Sequence, residues 1–186
     1  MDMKLPSGIH GVVGVDLSLS RTGVVYLPVT WKPGDKIESK SILTKKIHDA
    51  SDDIYRKTAS SRRRREFIID LLVDFIGRFG LSVIAYEQPA FGKFSGSRSV
   101  TELLFLSGAF LDRIGRVYPK SPLRSVAVSS ARSALLKKYR QKKQKIQVVE
   151  FCQENNLGLC NNDECDAFAV AHKTLCDINN VRSLFV

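Results

Sequence analysis

Four carboxylates stand where a carboxylate needs a reason. Asp16 ends the apolar run "GVVGVD", Glu87 ends "SVIAYE", and Asp163 and Asp166 open "DECDAFAVAH". Asp and Glu are rarely buried unless they are paired or hold a metal. Each has a local explanation. Asp16 can open the turn Asp-Leu-Ser-Leu-Ser through side-chain hydrogen bonds, and acids in a first helical turn suit the helix dipole. Asp163 and Asp166, three apart, share a helix face, while Glu164 is expected to point largely away. As a group the acids say more. Like charges do not converge in a folded protein without a counter-ion. Four carboxylates imply a hard cation, and oxygen ligands select Mg²⁺ or Mn²⁺. Two such ions about 4 Å apart serve in-line displacement at phosphorus, one activating water and the other steadying the leaving oxygen.

The elements that must position these groups are legible from periodicity. A strand is expected over about Ile9 to Leu17, a hairpin partner over Thr22 to Val29, and a third strand near Ile37 to Lys45, after the turn at Pro33-Gly34. A long helix follows over roughly Ser51 to Phe79, closed by Gly80. "LSVIAYEQ" reads as a buried strand and "PAFGKFSGSRS" as a Gly- and Ser-rich loop. Then come a helix from about Val100 to Val117, a strand near Ser125 to Val128, and short helices over Ser130 to Tyr139 and Ile146 to Asn155. A last helix spans Asn162 to Asn179. Hairpin strands first, then strands alternating with helices, indicate an α/β fold with a mixed sheet packed by helices. The 186 residues suit one domain spanning 1–186.

Charge points to the partner. The chain carries a net +10, yet from Arg113 to Val149 there are eleven Lys or Arg residues and no acid. The remainder holds eighteen basic against nineteen acidic side chains. One segment therefore owns the whole excess, as a polyanion-binding face would. Its members Arg132, Lys137, Lys138, Arg140, Lys142, Lys143 and Lys145 are candidate DNA contacts. A second block, "RKTASSRRRR", lies among Asp49, Asp52, Asp53 and Glu66, and local ion pairs can account for it. No apolar stretch is long enough to span a bilayer, so no membrane role is expected. The start "MDMKLPSG" lacks signal-peptide character, which makes a cytoplasmic location the expectation. Cys152, Cys160, Cys165 and Cys176 match no paired CxxC zinc pattern or disulfide scaffold. Free, packed thiols are expected, with a zinc site the alternative. His10, His48 and His172 lack ligand spacing, and His172 is expected to pack or face water.

"GVDLSLSRTGVV", "IAYEQPAF" and "DECDAFAVAH" resemble, in order and spacing, the three acidic motifs of RuvC-type Holliday junction resolvases. The resemblance runs from about Gly11 to Thr174, and D-x-x-D-A-x-A-x-A is its most specific part. It implies a ribonuclease H-like fold with a five-stranded mixed sheet, a homodimer, and an acidic tetrad at Asp16, Glu87, Asp163 and Asp166. It also implies two Mg²⁺ per site, with Mn²⁺ able to substitute. The implied activity is an endonuclease on four-way and other branched DNA, making paired nicks that leave 5′-phosphate and 3′-hydroxyl ends. The compact size and the extra turn at the second strand resemble a phage-encoded or divergent member, which would work in a bacterial host's cytoplasm. In the family an aromatic shortly after the Glu stacks on bases opened at the junction centre. Here the third position after Glu87 is Ala90, so Phe91, then Phe94, become the wedge candidates, with Lys93 beside them. An aromatic on such a loop gains roughly 1–3 kcal/mol per stacked base. "KKYRQKKQKIQVVEF" resembles the family's basic segment, with Lys145 at the position of its DNA-touching lysine.

Two other readings share these residues. A ribonuclease H-type nuclease on flaps or RNA–DNA hybrids keeps the fold and changes the substrate. A non-catalytic branched-DNA-binding module keeps the basic face, but would gain nothing from an acidic cluster turned toward phosphates. For dimerisation, the helix "SVTELLFLSGAFLDRIG" offers Leu103, Leu106, Phe110 and Ile114, although one face must also meet the sheet.

Overall fold

Val12, Val13 and Val15 are all fully buried, so strand β1 (Gly11–Asp16) is covered on both faces and lies at the centre of a sheet. The structure is a computed structural model and describes residues 7–44, 54–88, 98–136, 144–159 and 161–185. The other strands are β2 (Arg21–Pro28), β3 (Glu38–Leu43), β4 (Ser82–Glu87) and β5 (Leu123–Val126). They stand in the order β3-β2-β1-β4-β5. β2 pairs antiparallel with both β1 and β3, whereas β4 runs parallel to both β1 and β5. This is the mixed five-stranded α/β sheet expected from the pattern of elements.

The helices are α1 (Ile54–Ile76), α2 (Arg98–Val117), α3 (Val128–Leu135), α4 (Gln144–Glu154) and α5 (Asn162–Ile178). A short 3₁₀ turn over Gly77–Phe79 finishes α1, and Gly80 follows at φ 63°, a left-handed angle that favours glycine. The helices form two layers. Val13, Val15, Val24 and Ile84 meet Leu72, Ile76, Leu106, Phe110 and Ile114 of α1 and α2. Val12, Val25, Val83 and Ala85 meet Phe168 and Ala171 of α5, Leu135 of α3 and Val148 of α4. Trp31 sits edge-on to Phe168, 5.6 Å between ring centroids.

Most element boundaries move by a few residues from the sequence expectation, and two of the shifts have a visible cause. β5 starts two residues earlier because Ile84 N–H donates to the Pro122 carbonyl at 2.9 Å, which sets Leu123 opposite Ile84. Ala127, extended at φ −68° and ψ 135°, then caps α3, so Val128 belongs to the helix rather than the strand. The expected dimer face is also corrected. Leu106, Phe110 and Ile114 are spent on the sheet, and among the described residues the exposed large apolar side chains of this layer are Leu104, Phe105 and Val117 of α2 and Phe67 of α1.

The thiols of Cys152, Cys165 and Cys176 are free and buried, while Cys160 lies outside the described residues. His172 is packed in the core, where its Nε2 accepts from Leu184 N–H at 3.3 Å. Burial, aided by neighbouring Lys173, lowers its pKa to about 4. The unfolded chain then takes up this proton near pH 6.5, and the folded chain only near pH 4. The stabilisation is present above pH 6.5 and drains away as the pH falls towards 4. Between pH 7 and pH 5 this single group is expected to cost about 2 kcal/mol. Urea unfolding of His172→Gln at both pH values should show a fall smaller than wild type by about that amount.

Candidate active site

Side chains alternate along a strand, and that alternation decides which face the acids share. Val12 packs in the α5 layer and Val13 in the α1–α2 layer, so Asp16 falls on the α5 face. Val83 and Ala85 pack in the α5 layer and Ile84 in the other, so Glu87 falls there too. The parallel register matches Val15 with Tyr86, and its next step brings Asp16 level with Glu87. Both acids thus end neighbouring central strands, on one face and at one edge.

α5 carries the other two acids to that edge through close packing. A Cβ at Gly14 would strike the Ala167 carbonyl and lie 2.7 Å from Ala171 N. A Cβ at Gly23, the cross-strand partner of Asp16, would land on the Asp163 carbonyl and 2.8 Å from Glu164 N. Only bare backbone on β1 and β2, met by the small side chains of "DAFAVA", lets the helix lie this close. The start of α5 is therefore seated directly beside Asp16.

Asn161 caps α5, its Oδ1 accepting from Asp163 N–H and Glu164 N–H at 3.1 Å each. Capping therefore falls to Asn161. The turn after β1 is closed by Thr22, whose hydroxyl accepts from Ser18 N–H at 3.1 Å and donates to the Ser18 carbonyl at 2.7 Å. Glu164, expected to point largely away from the site, is buried, as is Asp166.

Two arginines share the acid edge. Arg132 of α3 reaches Asp166 Oδ1 with Nη2 at 3.1 Å and Nε at 3.3 Å. Arg21, at the start of β2, approaches Asp163 Oδ2 at 3.7 Å. Arg132 was a candidate DNA contact, and here it faces a carboxylate from a nearly buried position. Arg21 escaped the sequence reading altogether. Its parity with Gly23 and Val25, which places it on the α5 face, is the signal that could have found it.

The rest of the basic segment divides in the same way. Arg113 pairs with Asp70 at 3.7 Å, Arg116 with Asp112, and Arg124 with Asp177. In the second block, Arg62 meets Glu66 at 2.8 Å and Arg65 meets Glu102 at 2.7 Å. Lys145 lies in the first turn of α4. Phe91, Lys93, Phe94, Lys137, Lys138, Arg140, Lys142 and Lys143 lie outside the described residues.

The donors suit a hard divalent cation in kind, all of them carboxylates carried to one edge by three elements. Among the described residues no three His, Cys, Asp or Glu side chains are gathered around one point. Asp163 and Asp166 are met by guanidinium groups instead. This is how a carboxylate cluster is neutralised by the chain's own charges.

Neither a protein-family model nor a curated protein sequence matches this chain. Solved structures do. A RuvC structure from Thermus thermophilus superposes with a TM-score of 0.65 at 17% identity, covering 92% of this chain and 97% of that one. The chain has a RuvC-type fold. T. thermophilus RuvC in complex with a Holliday junction substrate matches with a TM-score of 0.63 at 16% identity, over 89% of this chain and 94% of that one. The yeast mitochondrial Holliday junction resolvase Ydc2 matches with a TM-score of 0.53 at 16% identity, over 95% and 84%. The RuvC-type fold accounts for the strand order and the two helical layers described above. Among the described residues no helix is long and apolar enough to cross a membrane.

Proposed function

We propose that this chain is a single-domain, structure-selective endodeoxyribonuclease that nicks four-way DNA junctions. One observation carries the reading: Asp16, Glu87, Asp163 and Asp166 reach one edge of a RuvC-type sheet from β1, β4 and α5. These four would hold Mg²⁺, or Mn²⁺ in its place, and bound cations would supply an activated water and stabilise charge on the leaving oxygen. The chain's own groups do the rest. β1 and β4, buried on both faces, hold Asp16 and Glu87 rigidly, so that a phosphodiester presented there meets donors already in position. The segment from Lys137 to Lys145, rich in Lys and Arg, would neutralise phosphates that the acids alone would repel. Phe91, Lys93 and Phe94 follow Glu87 closely enough in the chain to act at the junction centre.

Paired nicks need two sites, and exposed Phe67, Leu104 and Phe105 on the α1–α2 layer favour a homodimer joined through that layer. The layer lies on the sheet face opposite α5, so this contact would leave both acid edges open.

The test is cleavage by purified protein, at micromolar concentration with Mg²⁺, of matched mobile four-way junction, flap and RNA–DNA hybrid substrates. Sedimentation is measured in the same buffer. The expected result is symmetric nicks in opposed strands of the junction, with religatable 5′-phosphate ends, from a particle of two chains. Cleavage of the flap or hybrid in preference to the junction would replace the substrate assignment. Absence of nicking on all three would leave a binding module.

A further inference from the structure

Arg132 and Asp166 form the most enclosed ion pair at the acid edge, with side chains 14% and 4% exposed. Both contacts fall on a single carboxylate oxygen, Oδ1, from Nε and Nη2 of the guanidinium. α3 is fixed beneath this pair because Ala131 and Leu135, flanking Arg132, are buried in the core shared with α5. Arg132 therefore reaches Asp166 from an anchored base. Arg21 differs: its side chain is 39% exposed and it makes one contact of 3.7 Å with Asp163. A guanidinium keeps its proton at any accessible pH, so Arg132 contributes a permanent positive charge.

We propose that Arg132 is the resident counter-ion of the acid edge, neutralising Asp166 while no cation is bound and competing with the divalent cation for that carboxylate. The proposal rests on the reading of the four acids as a cation site. Two forces act when Arg132 is removed, and both have a definite sign. The metal-free protein loses a charged partner of a buried carboxylate, a costly deletion in a poorly hydrated place. The incoming cation loses a like-charged neighbour a few ångströms away, which favours its binding in a weakly screened site. Arg132 thus makes the fold tolerant of low cation concentration, at the cost of weaker binding. A phosphate contact would produce neither effect, since it acts only when DNA is present.

The experiment titrates Mn²⁺ into full-length wild type, Arg132→Gln and Asp16→Asn by calorimetry, and records thermal melts with and without Mn²⁺. Arg132→Gln should bind Mn²⁺ about 10-fold more tightly or better and melt at a lower temperature without metal. The added Mn²⁺ should then raise its melting temperature by more than it raises that of wild type. If Arg132→Gln is unfolded without metal, the readout becomes rescue: restoration of the fold by Mn²⁺ supports the competition, and failure to restore it overturns the proposal. Unchanged or weaker Mn²⁺ affinity in Arg132→Gln also overturns it. So does a loss of metal-free junction affinity with the salt slope reduced by about one, the signature of a phosphate contact. Asp16→Asn separates the two levels. If it fails to weaken Mn²⁺ binding, the cation-site reading falls and this inference with it. If it weakens binding while Arg132→Gln does not tighten it, the inference alone falls.

Discussion

Asp16→Asn is expected to abolish nicking of a four-way junction while leaving junction affinity unchanged or slightly improved. Asp16 ends a strand buried on both faces and stands level with Glu87, next to the point where the Asp163 backbone lies over Gly23. Exchange of one carboxylate oxygen for an amide removes a negative donor from the proposed cation site and changes little in shape. Several kcal/mol of transition-state stabilisation from a bound cation correspond to a loss of about 10³-fold or more in rate. Affinity should move the other way, because phosphates meet one fewer negative charge. Single-turnover cleavage and gel-shift titration in parallel check both halves. Nicking within about tenfold of wild type would remove Asp16 from the chemistry.

Gly23→Ala is expected to damage the same site without touching an acid. Its new Cβ would overlap the Asp163 carbonyl, a backbone atom that has no rotamer in which to yield. The start of α5 must then lift from β2, carrying Asp163 and Asp166 away from Asp16. Overpacking of this kind costs about 1–3 kcal/mol, or about 2–10 °C in Tm for a chain of this size. A misplacement of about 1 Å at a reacting centre can cost about 100-fold in rate, so cleavage should fall far more than stability does. Gly108→Ala is the control, since an added Cβ on that exposed helical position meets nothing within 4 Å. It should keep full activity and gain slightly in stability. Equal effects from the two substitutions would contradict the packing account.

Much of this architecture is written in local pattern. Apolar runs ending in Asp16 and Glu87, the three- and four-residue spacing of α1, and Gly80 as its stop all mark elements whose limits the structure moves by only a few residues. Such features depend on side chains near one another in the chain, so they survive reading in one dimension. The difficulty began where one residue type serves two purposes. Acids in the first turn of α5 looked like dipole partners, yet Asn161 does the capping. Leu106, Phe110 and Ile114 could serve either the sheet or a partner subunit, and the sheet takes them.

By itself, then, the chain of letters determined the order of strands and helices, the candidate acids at their ends, and the concentration of positive charge in one segment. Tertiary structure alone decided that Asp16 stands level with Glu87, that Gly14 and Gly23 let α5 lie directly on β1 and β2, and that Arg21 and Arg132 face carboxylates. The physical reason is range. Helix and strand periodicity come from bonds between near neighbours, whereas an arginine carries the same charge whether it meets a phosphate or Asp166. Only the packing of α3 against α5 brings Arg132 to Asp166 in the folded chain.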